Sequence, residues 1–236
     1  MIATDPTKGA ESTLTSRRLF ELSALALLIA LPLQIAGSAI HPAGEEVKHV
    51  LQATYGPAHL ILFVSWVFAL LGLPGLYAWQ ASRAGTLGLI SFVLLIVTAA
   101  YHLYLLLYEA FATTELASNP ATQGLIADGP MAHGVKTLAQ YATPLILAFP
   151  LFGIATLRAG ILPRWCGWLQ IASVPILVLS AVLLSVIASG AAEVVSIRLL
   201  YILEFLGWAW GAYAIRAATA PTRLAAPRLS TPRPAS

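Results

Sequence analysis

Six long apolar stretches dominate the sequence and limit what the chain can fold into. They cover residues 19–40, 58–79, 87–108, 137–157, 165–187 and 194–215. Each is close to the length of about 20 apolar residues that an α-helix needs to cross the ~30 Å hydrocarbon core of a bilayer. The stretches are too long and too continuous for strands, and inside lipid the backbone must satisfy its own hydrogen bonds. The sequence therefore predicts an all-α bundle of six transmembrane helices.

The composition agrees with lipid as the surrounding solvent. Hydrophobic residues make up 58% of the 236-residue chain and charged residues 10%, whereas a soluble domain has about 45–50% and about 25% of these classes. The single cysteine, Cys166, excludes an intramolecular disulfide and a thiolate metal cluster. The net charge of +3 comes from scattered basic residues that lie next to apolar stretches. We therefore expect the lipid bilayer, and not nucleic acid, as a partner.

Lysine and arginine residues near the ends of the stretches predict the topology. Ten of the 13 basic residues fall on the side that holds both chain termini and the two loops containing Arg83, Arg158 and Arg164. The remaining three fall on the other side: Lys48, Lys136 and Arg198. Short loops rich in lysine and arginine stay in the cytoplasm. Both termini are therefore predicted to be cytoplasmic, in a multi-pass protein of the bacterial cytoplasmic membrane.

The N-terminal region allows two interpretations. Residues 16–20, Ser-Arg-Arg-Leu-Phe, resemble the start of a twin-arginine export signal, and the small residues 36–39 resemble a cleavage site. The apolar stretch is longer than the ~7–15 residues of a signal core, and arginines before a first span also follow from the positive-inside rule. We therefore favour an uncleaved first helix. The predicted organisation is a cytoplasmic tail over 1–18, a membrane domain over 19–217 and a disordered cytoplasmic tail over 218–236.

Polar side chains within the predicted helices are few, and burying them in lipid is costly, so each is a candidate functional residue. Glu204 lies about ten residues into the last helix, near the middle of the bilayer. It is either a proton or ion site or a neutral acid bonded to a carbonyl that a proline kink leaves free. Arg198 and Tyr201 lie nearer the outer end of the same helix. Snorkelling of Arg198 to the outer interface is the alternative to a functional role.

The outer half of the third predicted helix carries the densest group of polar side chains. His102 and Glu109 are seven residues apart, so they share a helix face to within about 20°. Tyrosines beside them lie at the depth of Arg198 and Tyr201, which suggests a ligand-binding site. The alternative is an interfacial aromatic belt around one satisfied histidine. The candidate ligand-binding residues are Tyr101, His102, Tyr108, Glu109, Arg198, Tyr201 and Glu204.

Histidines on the outer side suggest a different kind of site. His41, His59 and His102 fall within the same outer third of the predicted bundle. Together they could bind zinc or copper, or supply the two axial ligands of a haem. No two histidines stand three or four residues apart, as they do in a strong helical metal site. Ordinary interfacial hydrogen bonding is therefore the alternative, and the sequence assigns no cofactor.

The fourth and fifth predicted helices and the loop between them have a recognisable composition. It combines Ala132-His133-Gly134, Phe152-Gly153, residues 158–165 (Arg-Ala-Gly-Ile-Leu-Pro-Arg-Trp), Gly167-Trp168 and Ile171-Ala172. This pattern resembles small bacterial membrane proteins that are grouped as a six-helix domain of unknown function. The resemblance covers only the fourth and fifth helices. It implies a bacterial membrane protein and carries no activity with it.

The sequence thus predicts an integral membrane protein that binds a ligand in its outer polar cluster or serves as an accessory subunit. Two alternatives remain: a metal- or haem-dependent membrane enzyme that uses the outer histidines, and a small proton-coupled permease that uses Glu204. In the last helix, Gly207 and Gly211 form a small-xxx-small pattern that lets two helices approach closely. The helix that packs against these glycines belongs either to the same chain or to the partner in a homodimer.

Overall fold

The computed structural model describes residues 6–126, 133–187 and 192–220, which are helical almost throughout and contain no strand. The α-helices in these ranges are α1 (Pro6–Ile40), α2 (Val47–Val50), α3 (Tyr55–Leu107), α4 (Thr114–Ser118), α5 (His133–Ala142), α6 (Ala148–Ala159), α7 (Arg164–Ile187) and α8 (Ala192–Thr219). A π-helix, Tyr108–Thr113, follows α3, and the 3-10 segments are Gln123–Ile126 and Thr143–Leu147. The all-α prediction is confirmed. The predicted tail beyond residue 220 and the Lys136 side chain lie outside the description.

Helix α3 consists of two antiparallel helices that meet at Gly85. This residue has φ 60° and ψ −164°, a conformation that is readily accessible only to glycine. On either side of it the chain folds back on itself, and Tyr77 stacks on Phe92 with ring centroids 4.4 Å apart. Residues 55–84 are called the first arm of α3, and residues 86–107 the second arm. The two arms correspond to the second and third predicted helices.

Two further elements differ from the sequence prediction. Helix α1 begins at Pro6, so most of the predicted N-terminal tail is helical. The sequence predicts one helix over 137–157, whereas the structure inserts the 3-10 segment Thr143–Leu147 between α5 and α6. Pro144 lies in that segment and has no amide hydrogen to donate. One α-helical hydrogen bond is therefore missing at the point where the 3-10 segment begins.

Several helices are long and apolar enough to cross a membrane. Among the described residues these are Ser16–Ile40, Tyr55–Ser118, Arg164–Leu183 and Val195–Thr219, with a shorter apolar stretch at Thr143–Ala159. Tyr55–Ser118 contains both arms of α3 and is therefore long enough for two crossings. These helices are those of an integral membrane protein.

Neighbouring helices run antiparallel, and the two ends of the bundle carry different side chains. Phe20 of α1 meets Trp79 of the first arm with ring centroids 5.0 Å apart at one end, and His41 meets His59 at the other. The arginine end of the bundle carries Arg17, Arg83, Arg158, Arg164 and Arg216. The opposite end is called the histidine end. There α2, α4 and the segments around them form a cap with a small core of its own, made of Val50, Tyr55, Ala117 and Ile126.

Candidate functional site

Six polar side chains from four parts of the chain meet at the histidine end, beneath the cap. His41 follows α1, Glu45 precedes α2, two residues begin the first arm of α3, and the last two come from the π-helix and from α8. We call this group the histidine cluster: His41, Glu45, Tyr55, His59, Glu109 and Arg198. Most of its polar atoms are shielded from solvent. Ionisable groups at such a depth need partners, and the cluster supplies them.

His59 occupies the centre of the histidine cluster. Its Nδ1 lies 2.8 Å from the carbonyl oxygen of Tyr55, which can only accept, so Nδ1 carries a hydrogen. Its Nε2 lies 3.0 Å from Glu109 Oε2 and 3.2 Å from His41 Nε2. One ring nitrogen of His59 therefore faces two partners and has room for a single hydrogen.

Two groups compete for Nδ1 of His41. Arg198 Nη2, which donates to the carbonyl oxygen of Pro42, lies 2.6 Å from Nδ1, and the same Pro42 oxygen lies 2.8 Å from Nδ1. Because a guanidinium group only donates and a carbonyl oxygen only accepts, Nδ1 either accepts from Arg198 or donates to Pro42. In both cases Nε2 of His41 faces His59 Nε2 and lies 3.5 Å from Glu45 Oε1.

These assignments leave one hydrogen to be supplied between His59 and Glu109. If both groups lack it, a carboxylate oxygen faces a nitrogen lone pair. If one of them holds it, the 3.0 Å contact becomes a hydrogen bond, either from a neutral carboxylic acid or from an imidazolium. The geometry is therefore that of a binding site for one proton.

Glu45 connects this site to solvent. Its Oε2 accepts from the Tyr55 hydroxyl at 3.0 Å, and 28% of its side chain is exposed. Burial, reinforced by the nearby Glu109, raises the pKa of Glu45 to about 7, against the opposing effects of His59, the Tyr55 hydroxyl and Arg198. Burial, followed by the neighbouring His59 and Arg198, lowers the pKa of His41 to about 4, although the Pro42 carbonyl opposes the shift. Glu45 is thus an acid that titrates near neutral pH at the edge of the cluster.

The structure divides the predicted outer site into two. Glu109 and Arg198 belong to the histidine cluster, whereas His102 lies deeper in the bundle. His102 Nδ1 donates to the Thr98 carbonyl at 2.7 Å, and its Nε2 accepts from the hydroxyl of Tyr201. The ring also stacks on Trp66, with centroids 4.3 Å apart. His102 is therefore a satisfied core histidine.

The other predicted residues lie outside the histidine cluster. The ring of Tyr101 lies beside His102, with centroids 5.7 Å apart, and Tyr108 packs against the exposed Tyr104 with centroids 6.3 Å apart. This arrangement is that of an aromatic belt. Glu204 is fully buried in the middle of α8.

The glycines of the last helix pack within the chain. A Cβ atom on Gly207 would lie 3.1 Å from the carbonyl oxygen of Cys166, and one on Gly211 would lie 2.8 Å from Leu76 Cδ1. Both glycines therefore let α8 approach its neighbours in the same bundle, which is one of the two roles that the pattern allows. A homodimer through them stays a prediction.

The structure brings together two of the three histidines suggested for a metal or haem site. His41 and His59 are in contact, whereas His102 pairs with Tyr201. Over the ranges that the structure describes, no three His, Cys, Asp or Glu side chains are grouped so that they could hold a metal ion. A metal or haem on these residues stays a prediction, and the geometry favours a proton.

Sequence reasoning missed Glu45 and Tyr55. Tyr55 shows a simple signal, because it precedes His59 by four residues at the start of a helix, and this spacing brings the two side chains close together. Glu45 lies in the loop after α1, so its spacing from His41 carries no such signal.

Comparison of the chain with protein-family models, with curated proteins and with solved structures finds no match. The resemblance of the fourth and fifth helices to a six-helix membrane family therefore stays a prediction.

Proposed function

We propose that the chain is a six-span protein of the bacterial cytoplasmic membrane that binds a proton from the outer side in its histidine cluster. In this topology the spans are α1, the two arms of α3, α5 together with α6, α7, and α8. The arginine end, with both termini, lies in the cytoplasm because basic residues are retained there. The histidine end then faces outward, and its partly exposed Glu45 gives protons access to the cluster.

One observation carries the proposal: the buried His59 Nε2 faces both Glu109 Oε2, at 3.0 Å, and His41 Nε2, at 3.2 Å. Two buried side chains that share one missing hydrogen hold a proton more tightly than either does alone. Histidine is also the side chain that titrates most readily near neutral pH.

Proton binding would change how the parts of the histidine end hold together. The cluster joins the end of α1, the cap, both arms of α3 and α8, so its charge acts on all of them. When the proton leaves, the carboxylate of Glu109 faces an uncompensated lone pair, and the link between the two arms weakens. The protein is thus a pH-responsive ligand-binding or accessory subunit, in which the proton is the ligand.

Counting protons tests this function. The full-length protein in lipid nanodiscs is titrated in unbuffered solution from about pH 5 to about pH 9. We expect Glu109→Gln to bind one proton fewer than the wild type over this range, since glutamine donates to His59 without one. The matched control is Glu115→Gln, an exposed acid on α4, which should leave the proton uptake of the protein across neutral pH unchanged. Equal proton uptake by Glu109→Gln and the wild type across neutral pH would contradict the proposal.

Labelling of intact cells tests the topology. Single cysteines are introduced by Glu46→Cys in the cap and by Ser82→Cys beside Arg83, in a Cys166→Ala background; both positions are exposed. A membrane-impermeant maleimide should label Glu46→Cys in intact cells and Ser82→Cys only after lysis. Labelling of both positions in intact cells would overturn the proposed orientation.

A further inference from the structure

We propose that Glu204 is a second proton-binding site, separate from the histidine cluster, where a neutral carboxylic acid and a bound water molecule are held in the middle of the bundle. Glu204 is fully buried on α8. Neither of its carboxylate oxygens has a hydrogen-bond partner in the described part of the chain. An ionised carboxylate in such a place is strongly unfavourable. The acid is therefore neutral, with its proton bound.

Two other buried polar atoms in this region also lack partners among the described residues. One is Trp208 Nε1, one helical turn further along α8, and the other is Gln170 Oε1 on α7. Gly207 brings the two helices together here, because a Cβ at that position would lie only 3.4 Å from Gln170 Cγ. Gln170 Nε2 is occupied, since it donates to the carbonyl oxygen of Cys166 at 2.8 Å. The free carbonyl oxygen of the side chain is thus left to a different donor.

Ser173 of α7 lies near Glu204, but neither oxygen of Glu204 is in hydrogen-bonding geometry with it. The Ser173 hydroxyl hydrogen is already donated to the main-chain carbonyl oxygen of Gln170 at 2.7 Å. Towards Glu204 the serine oxygen can therefore only accept, and a carboxyl group has a hydrogen to donate only when it is protonated.

One water molecule and one proton satisfy all of these groups. The water accepts from the indole N–H of Trp208 and donates to Gln170 Oε1 and to the carbonyl oxygen of Glu204. Three such partners are typical of a buried water. The Glu204 hydroxyl then points to Ser173. A protonated acid with hydrated polar neighbours at mid-bundle is the chemistry that membrane proteins use to take up and release protons.

Infrared spectroscopy of the full-length protein in lipid tests the site. We expect a carbonyl band of a protonated carboxylic acid at neutral pH that shifts in D₂O, is lost in Glu204→Gln and is retained in Glu21→Gln. The control acid, Glu21, is partly exposed and paired with Arg17 at 2.9 Å. Absence of the band from the wild type, or its persistence in Glu204→Gln, would overturn the assignment.

Two further measurements keep the test independent of how the variants fold. In the wild type, a hydrophobic carbodiimide, which reacts with protonated carboxyl groups in apolar surroundings, should modify Glu204 as mapped by mass spectrometry; modification confined to other acids would overturn the proposal. A bound-water band that shifts in H₂¹⁸O should weaken in Trp208→Phe and persist in Trp165→Phe, an exposed tryptophan on α7. Bands of equal strength in the two variants would show that no water molecule is bound at Trp208.

Discussion

His59 Nε2 and Glu109 Oε2 lie 3.0 Å apart at the histidine end, where the two arms of α3 meet again after turning back at Gly85. The contact ties the start of the first arm to the π-helix that follows the second. With the proton in place it is a charge-assisted or acid–base hydrogen bond between two buried groups, and such bonds are about twice as strong as neutral ones.

Removing the acid from this contact should destabilise the protein. In Glu109→Leu, His59 Nε2 loses its contact with the carboxyl group and keeps only His41 at 3.2 Å, and a hydrogen bond of a charged group contributes about 1.5–3 kcal/mol. Glu109→Gln should retain most of the stability, because its amide donates to the same nitrogen. Thermal unfolding in detergent compares the two variants. If Glu109→Leu unfolded at the wild-type temperature, the contact would have no energetic role.

The acid and the histidine at the edge of the cluster should give opposite pH dependences of stability. The pKa of Glu45 rises from 4.5 to about 7 on folding, so its contribution is present below pH 4.5 and is lost as pH rises through about 7. The pKa of His41 falls from 6.5 to about 4, so its contribution is present above pH 6.5 and is lost as pH falls towards about 4. In the wild type the two slopes partly cancel.

Single variants should reveal each slope. Glu45→Gln should lose stability as pH falls from 6.5 towards about 4, and His41→Gln should lose it as pH rises from 4.5 through about 7. Each change should be at most about 3 kcal/mol, since one pKa unit corresponds to ~1.4 kcal/mol. Unfolding at a series of pH values measures both. Glu46→Gln, an exposed neighbour paired with Lys48, should keep the wild-type profile above pH 4.5. Parallel profiles for Glu45→Gln and His41→Gln would contradict this account.

Replacing Arg198 should loosen the connection between α8 and the end of α1. Arg198 donates to the carbonyl oxygen of Pro42 and lies 2.6 Å from His41 Nδ1, and a hydrogen bond from a charged donor contributes about 1.5–3 kcal/mol. We expect Arg198→Met to lower the unfolding temperature in detergent, while Arg216→Met, an exposed residue at the arginine end, leaves it nearly unchanged. Equal stability of the two variants would show that Arg198 merely reaches solvent.

The turn at Gly85 should be sensitive to any side chain. No atom lies within 4 Å of a Cβ built on Gly85, so the cost of Gly85→Ala arises from its φ of 60° alone. A non-glycine residue in this region costs about 1–3 kcal/mol. Gly124→Ala has equally open surroundings and no positive φ, so it should be neutral. Comparable unfolding temperatures for both variants would argue against a strained turn.

Much of the architecture could be predicted from the sequence because apolar length is a strong signal. The stretches 58–79 and 87–108 correspond to the two arms of α3, and the arginine-containing loops lie at one end of the bundle. The break at Pro144 was harder to place, because prolines within membrane helices are often accommodated. At Pro32, Pro74 and Pro175 the helix continues through the proline.

The candidate site was only partly predictable. His102 and Glu109 do share an inward-facing side of the helix, but seven residues span about 10 Å along it. The two side chains therefore find different partners, Tyr201 for one and His59 for the other. Glu45 lies in a loop, and helical periodicity gives no information about where a loop places its side chains.

The most direct test of the shared proton is the nitrogen spectrum of His59 itself. The chain has five histidines, so ¹⁵N-histidine labelling of the full-length protein in lipid gives a spectrum simple enough to assign with His59→Gln. We predict that the Nε2 resonance of His59 moves with pH in the wild type and becomes insensitive to pH in Glu109→Gln. If His59 shows the same pH dependence in both proteins, Glu109 and His59 do not share a proton.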